Sequence, residues 1–73
     1  MKVIDLFGTG RQIKNLLTER NMTQSDLARK LGLTPMAVHK WIVGKSVPTV
    51  DNLVCLSEIF DLEIDHIIVT TII

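Results

Sequence analysis

The chain has 73 residues, of which 47% are hydrophobic and 22% are charged, and its formal net charge is zero. These fractions are typical of a globular protein, and the length is that of one small domain spanning residues 1–73. They exclude a two-domain enzyme, and no apolar run approaches the length of a membrane span.

Apolar residues three and four apart predict a first helix over residues 9–20, with Ile13 and Leu17 on its buried face. Thr9, followed three residues later by a glutamine, has the spacing of a capping box at the start of this helix. An earlier start at Asp5 is the alternative. It would place two glycines inside the helix, each unfavourable by about 1 kcal/mol.

Two shorter helices are predicted next, over residues 23–31 and 34–43. Thr23 and Thr34 precede their apolar stripes, and a threonine hydroxyl can accept the free backbone N–H groups at a helix start. Gly32 separates the two helices, because glycine adopts the left-handed conformation after a helix without steric cost. The buried stripes of this pair are supplied by Leu27, Ala28, Leu31, Val38, Trp41 and Ile42.

A fourth helix is predicted to begin after Thr49, with Leu53, Leu56 and Phe60 at helical spacing. Cys55 lies inside this helix. Because cysteine is often buried and no neighbouring group would activate its thiol, we expect Cys55 to pack as a small hydrophobic residue.

The two ends of the chain have strand-forming sequences. Residues 63–68 are long enough for about one and a half helical turns, whereas residues 69–73 are β-branched throughout and favour an extended conformation. Residues 1–4 are also β-prone. Since an isolated strand is unstable in water, we predict that the two ends become ordered by packing or pairing, within one subunit or between two.

Charge is distributed unevenly along the chain. Residues 1–50 hold all eight basic side chains and three acidic ones, a balance of 8 − 3 = +5, and residues 51–73 hold five acidic side chains and no basic one, a balance of −5. This asymmetry indicates one surface suited to a polyanion and another turned away from it.

Few residues are available for catalysis or metal binding. His39 and His66 are far apart in sequence, and neither has a second histidine or cysteine at metal-ligand spacing. The single cysteine cannot form an internal disulfide, which fits a reducing compartment. We therefore expect a cytoplasmic protein that is not an enzyme and binds no metal or cofactor.

Residues 23–43 have the pattern of a helix-turn-helix motif, with a small residue at Ala28, a glycine corner at Gly32, and anchors at Val38 and Trp41. The stretch from Gln24 to Lys45 resembles the Cro and phage-repressor type of helix-turn-helix DNA-binding protein, and the resemblance extends over about residues 9–68. It implies an all-α fold, a compact bundle of four to five short helices with extended termini. It also implies that the helix over 34–43 enters the major groove of DNA.

The resemblance also implies roles for individual residues. The positions of base-reading side chains are matched by Pro35, Met36 and Lys40, with Ala37 and His39 beside them, and those of phosphate contacts by Gln24, Thr34 and Lys45. Three residues depart from the family pattern. Pro35 has no side-chain hydrogen-bonding group, Ile42 replaces a residue that is often acidic, and Asp61 lies where glycine commonly ends the fourth helix.

Taken together, these features predict a sequence-specific DNA-binding transcriptional regulator, with repression as the expected mode and double-stranded DNA as the partner. A homodimer is expected because one recognition helix covers only a few base pairs. Residues 51–73 are the candidate dimer surface, and its apolar candidates are Ile64, Ile67, Ile68 and the β-branched tail 69–73. The alternative is that these residues only close the core of the monomer. The alternative function is an antitoxin or other protein-interaction module, in which the same fold covers a toxin.

Overall fold

The computed structural model describes residues 1–73, with four α-helices and a two-stranded sheet made from the two ends of the chain. No helix is both long and apolar enough to cross a membrane. In chain order the elements are β1 (Lys2–Ile4), α1 (Leu6–Glu19), α2 (Gln24–Leu31), α3 (Pro35–Ile42), α4 (Val50–Phe60), a 3-10 turn (Ile64–His66) and β2 (Thr70–Ile72).

Each α-helix begins at a side chain that accepts a backbone N–H group. Thr23, Thr34 and Thr49 cap α2, α3 and α4 as predicted. The predicted start of the first helix at residue 9 is wrong, because α1 begins at Leu6 with Asp5 as its cap. The Asp5 carboxylate accepts the N–H of Gly8 at 2.9 Å, which satisfies one of the free donors of the first turn.

Each α-helix is followed by a residue in the left-handed conformation. The four are Asn21, Gly32, Gly44 and Asp61, and they are the only residues with positive φ. After each of them, the next amide donates back to the carbonyl five residues earlier, the bond of a Schellman motif. These bonds run from Met22 to Leu17, Leu33 to Ala28, Lys45 to Lys40 and Leu62 to Ser57.

The hydrophobic core is one cluster that draws side chains from every α-helix. Phe60 and Ile13 are its largest fully buried side chains. Ile67, one of the candidates for a dimer contact, is fully buried in this cluster and is therefore unavailable to a second copy. Ile64 and Ile68 are half-buried against it. The core consists of Ile13, Leu16, Leu17, Leu27, Ala28, Val38, Trp41, Leu53, Leu56, Phe60 and Ile67.

The ends of the chain pair with each other, which confirms the prediction that they become ordered. β1 and β2 run antiparallel, with Val3 opposite Thr71. Thr9 fixes this sheet to α1, since its hydroxyl accepts the N–H of Val69 at 3.0 Å and donates to the carbonyl of the same residue at 3.3 Å. This use of the hydroxyl explains why Thr9 is buried and does not cap a helix.

Cys55 is exposed, so its predicted role as a packed hydrophobic residue is wrong. In α4 the buried positions are Leu53, Leu56 and Phe60. Cys55 is two residues after Leu53 and one before Leu56, and at about 100° per residue it lies on the far side of the helix.

Candidate nucleic-acid interface

The start of α2 is held by a reciprocal capping box. The Thr23 hydroxyl accepts the N–H of Asp26 at 3.0 Å, and the Asp26 carboxylate accepts the N–H of Thr23 at 2.9 Å. The backbone hydrogen bond from Thr23, helped by the Arg29 guanidinium 3.4 Å away, lowers the pKa of Asp26 below its ordinary 3.8. Gln24, the first residue of α2, is thereby fixed in position.

The turn into α3 is equally well defined. Gly32 adopts φ +70°, where nothing lies near the position of a side chain. Thr34 accepts the N–H of Ala37 at 3.3 Å, and Pro35 occupies the first turn, where a missing N–H is no disadvantage. The sequence of this turn therefore fixes the direction in which α3 leaves α2.

The inner side of α3 is anchored to the rest of the bundle. Val38 and Trp41 are buried at 0% and 5% exposure. Helix α1 approaches the end of α3 so closely that a Cβ atom at Gly10 would collide with the backbone carbonyl oxygens of Trp41 and Ile42. Hence the inner side of α3 is held by packed side chains, and its C-terminal end is held by a close approach of its backbone to the backbone of α1.

The outer side of α3 carries a row of two side chains, Met36 and Lys40, which we call the outward row. Because a helix turns about 100° per residue, these two lie one turn apart and opposite the Val38–Trp41 stripe. Met36 is 61% exposed, and Lys40 is also exposed.

The other predicted base-reading residues flank the outward row. Pro35 and His39 are exposed and lie along one side of it by helical phasing. Ala37 lies along the other side and is half-buried. The structure therefore exposes Pro35, Met36, His39 and Lys40 on the outer side of α3, whereas Ala37 borders its buried stripe.

The three predicted phosphate-binding residues lie at the ends of the two motif helices. Gln24 is half-buried at the start of α2, and Thr34 is exposed at the start of α3. The Thr34 hydroxyl already accepts an N–H, so its own proton remains free to donate. Lys45 is exposed, and its amide donates to the Lys40 carbonyl at 2.9 Å, which fixes it against the last turn of α3.

The charge of this region differs from that of the C-terminal part. Residues 23–45 hold four basic side chains and one acidic side chain, a balance of 4 − 1 = +3. Glu58, Asp61, Glu63 and Asp65 instead line one recess between α4 and the 3-10 turn, and no basic side chain lines it. This group of carboxylates thus lies outside the positively charged segment 23–45.

Sequence reasoning missed the part that Gly10 plays in positioning α3. Two glycines in the pattern of the first helix were counted only as a cost to helix stability. A glycine inside a predicted helix is also a signal of a close backbone approach. That signal could have identified Gly10 as the residue at which the backbone of α1 contacts the end of α3.

Comparison with known proteins agrees with this geometry. The helix-turn-helix family model HTH_3 matches residues 13–67. The HTH-type transcriptional activator BcrR of Enterococcus faecalis is 35% identical over 57 residues, which cover 78% of this chain and 28% of BcrR. The chain thus matches little more than a quarter of the length of that relative.

The fold is also found in a solved structure. The restriction-modification controller protein C.AhdI from Aeromonas hydrophila superposes with a TM-score of 0.78 and 25% sequence identity, over 86% of this chain and 91% of that one. The resemblance to Cro and phage repressors is therefore confirmed. The chain belongs to the Cro/C1-type helix-turn-helix family of DNA-binding transcriptional regulators.

Proposed function

We propose that this protein is a sequence-specific transcriptional regulator that binds duplex DNA with α3 in the major groove. The observation that carries the proposal is the outward row of Met36 and Lys40, on a helix whose opposite side is anchored by Val38 and Trp41. An α-helix fits the major groove, and side chains on its outer side reach the base edges there.

The outward row suits a particular kind of base reading. The Lys40 ammonium can donate to O6 and N7 of a guanine. The side chains of Met36 and Ala37 carry no hydrogen-bond donor and suit apolar contact with a thymine methyl. Pro35 adds shape without hydrogen bonds, and His39 lies at the edge of the surface, where a phosphate is the nearer partner. The readout therefore depends on one cation and several apolar contacts.

Gln24, Thr34 and Lys45 would contact the phosphate backbone on either side of α3. All three belong to segments held by hydrogen bonds before DNA is bound, at the caps of α2 and α3 and at the end of α3. Phosphate contacts fix the position of a protein on DNA without reading its sequence. The local balance of +3 supports this assignment.

The proposed working form is a homodimer on two half-sites. A single recognition helix reads only a few base pairs, and proteins of this kind gain specificity by placing two such helices one DNA turn apart, about 34–36 Å. A two-fold dimer accordingly predicts a palindromic site.

We propose repression as the mode of regulation. An occupied operator that overlaps a promoter blocks polymerase through DNA binding alone, and DNA binding is the activity that the outward row supports. Activation is the second candidate. It is favoured by the name of BcrR, a transcriptional activator that matches 78% of the length of this chain.

Selection of bound sites from random duplex DNA tests the proposal. We expect a palindromic consensus with at least one guanine in each half-site. The selected site is then placed over and upstream of a promoter for transcription in vitro. Loss of transcript from the overlapping site supports repression, and a gain from the upstream site supports activation. Recovery of no enriched sequence would contradict sequence-specific binding.

A further inference from the structure

The two-stranded sheet has open edges on both sides. Met1 and Ile73 exchange two backbone hydrogen bonds, and the Asp5 amide donates to the Val69 carbonyl. In an antiparallel pair, hydrogen-bonded residues alternate with residues whose N–H and C=O groups point away from the partner strand. Lys2 and Ile4 therefore point their backbone groups to the outer edge of β1, and Thr70 and Ile72 to the outer edge of β2.

These outward backbone groups have no partner within the chain. The backbone N–H and C=O groups of Lys2, Ile4, Thr70 and Ile72 take part in none of its hydrogen bonds outside helices and strands. An edge of this kind is a template for another strand unless the sequence protects it.

The two edges differ in how they are protected. β1 carries Lys2, and a lysine on an edge strand discourages pairing with another strand. β2 has no charged residue, and residues 69–73 are all β-branched. All three residues of β2 are exposed, and Ile72 is 77% exposed. Hence β2 presents the edge that is better suited to pairing.

We propose that β2 pairs antiparallel with β2 of a second copy of this chain, forming a four-stranded sheet across a two-fold axis. This inference rests on the proposed homodimer and names its interface. We expect the partner to be a second copy of this chain. When β2 pairs with itself about a two-fold axis, the assembly stops at two copies. The only strand edges left outside are then the two β1 edges, each of which carries a lysine. Pairing of β1 with β2 would instead leave one open edge at each end and continue into a chain of molecules.

The outward groups also limit the register, because Thr70 and Ile72 must lie in the hydrogen-bonded pairs. The register that pairs both residues in both copies places Thr70 of one copy opposite Ile72 of the other. Thr71 then faces Thr71 of the second copy on the axis, as a pair without mutual hydrogen bonds. The Cα atoms of such a pair are about 4.5 Å apart, within the range that a disulfide spans.

Disulfide formation tests this register. The exposed Cys55 is first replaced by Cys55→Ser, and Thr71→Cys is added in that background. We expect rapid formation of a disulfide-linked dimer under mild oxidation. Thr70→Cys is the matched control, because two copies of residue 70 would be two positions out of register and too far apart for a disulfide. Equal cross-linking of both variants, or of neither, would overturn the proposed register.

Proline substitution tests the edge itself. Ile72→Pro removes the outward N–H of β2 and leaves the bonds to β1 intact, whereas Lys2→Pro makes the same change at the residue directly opposite, on the β1 edge. In analytical ultracentrifugation we expect Ile72→Pro to raise the dimer dissociation constant at least about tenfold, because two intersubunit hydrogen bonds are lost. Lys2→Pro should leave it unchanged.

The same two variants separate this inference from the proposed function. An Ile72→Pro protein that binds a single half-site like wild type but no longer dimerises supports both. If Ile72→Pro dimerises like wild type, the β2 interface is wrong, whatever the DNA binding. If the Thr71→Cys variant cross-links but the wild-type protein enriches no DNA sequence, the interface holds and the proposed function fails.

Discussion

Gly10 in α1 lies directly against the backbone of Ile42 in α3, so that a Cβ atom added at Gly10 would stand 2.6 Å from the Ile42 carbonyl oxygen. A backbone carbonyl at the end of a helix cannot rotate away as a side chain can. The contact therefore couples the position of α3, which carries the outward row, to the residue type at one position of α1.

The first prediction concerns this contact. Gly10→Ala should destabilise the fold by about 1–3 kcal/mol, as overpacking does, and should also weaken DNA binding by displacing the end of α3. Gly8→Ala is the matched control for DNA binding, because the nearest atoms to a Cβ there belong to the side chains of Asp5 and Val69 and not to the backbone of α3. It should disturb the Asp5 cap and cost stability, but leave the end of α3 and DNA binding unchanged. Urea denaturation and fluorescence anisotropy with the selected DNA measure the two effects. An equal loss of DNA binding for both variants would contradict the special role of Gly10.

The second prediction concerns base reading. Lys40→Ala should weaken binding to the selected site by about 1–3 kcal/mol and relax the preference at one position of each half-site. Lys30→Ala removes the same charge from an exposed position on α2 and should leave the consensus unchanged. Repeating the site selection with both variants provides the measurement. A Lys40→Ala protein that retains the wild-type consensus would refute base reading by Lys40.

The third prediction concerns phosphate contacts. Lys45→Ala should weaken binding to specific and unrelated DNA alike, and should reduce the slope of log affinity against log salt by about 1. Gln24→Ala, which removes an uncharged side chain, should also weaken binding to all sequences but leave the slope unchanged. Titrations at several salt concentrations distinguish the two. A sequence-dependent loss for Lys45→Ala would argue against a phosphate contact.

The fourth prediction concerns the attachment of the sheet to α1. Thr9→Val has nearly the same shape but leaves the Val69 N–H without its partner, so we expect a loss of about 1–3 kcal/mol in the free energy of unfolding. Thr18→Val is the control, since the exposed Thr18 hydroxyl bonds only to the Lys14 carbonyl of its own helix. Hydrogen exchange at Val69 should accelerate in Thr9→Val alone.

The fifth prediction concerns pH. The pKa of Asp26 is lowered in the fold, mainly by the Thr23 backbone N–H, so its carboxylate stabilises the fold above the unfolded value near 3.8. This stabilisation is lost as the pH falls through the lower, folded pKa. The difference in Tm between wild type and Asp26→Asn should therefore be constant near neutral pH and shrink below about pH 4. Asp65→Asn, at an exposed carboxylate outside the helix caps, serves as the reference.

Much of the helix-turn-helix could be predicted because its determinants are local. Thr23 and Thr34 cap helices through hydrogen bonds to residues three positions ahead, and Gly32 ends a helix through its own backbone. The exposure of Met36 and Lys40 follows from the burial of Val38 and Trp41 by helical phasing. Their roles on DNA stay predictions.

The start of α1 could not be predicted locally. Asp5 and Thr9 are both good capping residues, and the choice between them depends on Val69, which binds the Thr9 hydroxyl from 60 residues further along the chain. Cys55 was assigned from residue type, although its spacing from Leu53 and Leu56 already turned it outward. The start of α1 thus depends on a contact with a residue distant in sequence. The exposure of Cys55 follows from helical periodicity and not from the usual burial of cysteine.

The pairing of β1 with β2 has a consequence for the order in which the molecule folds. The helices and their caps close over a few residues, whereas the sheet and the Thr9–Val69 bonds close a loop of about the whole chain, at a larger entropic cost. The sheet should accordingly form last and open first. Opening also frees the Asp5 amide from Val69, at the residue that caps α1. A molecule in which the sheet has opened would then retain a complete helix-turn-helix and have two free ends.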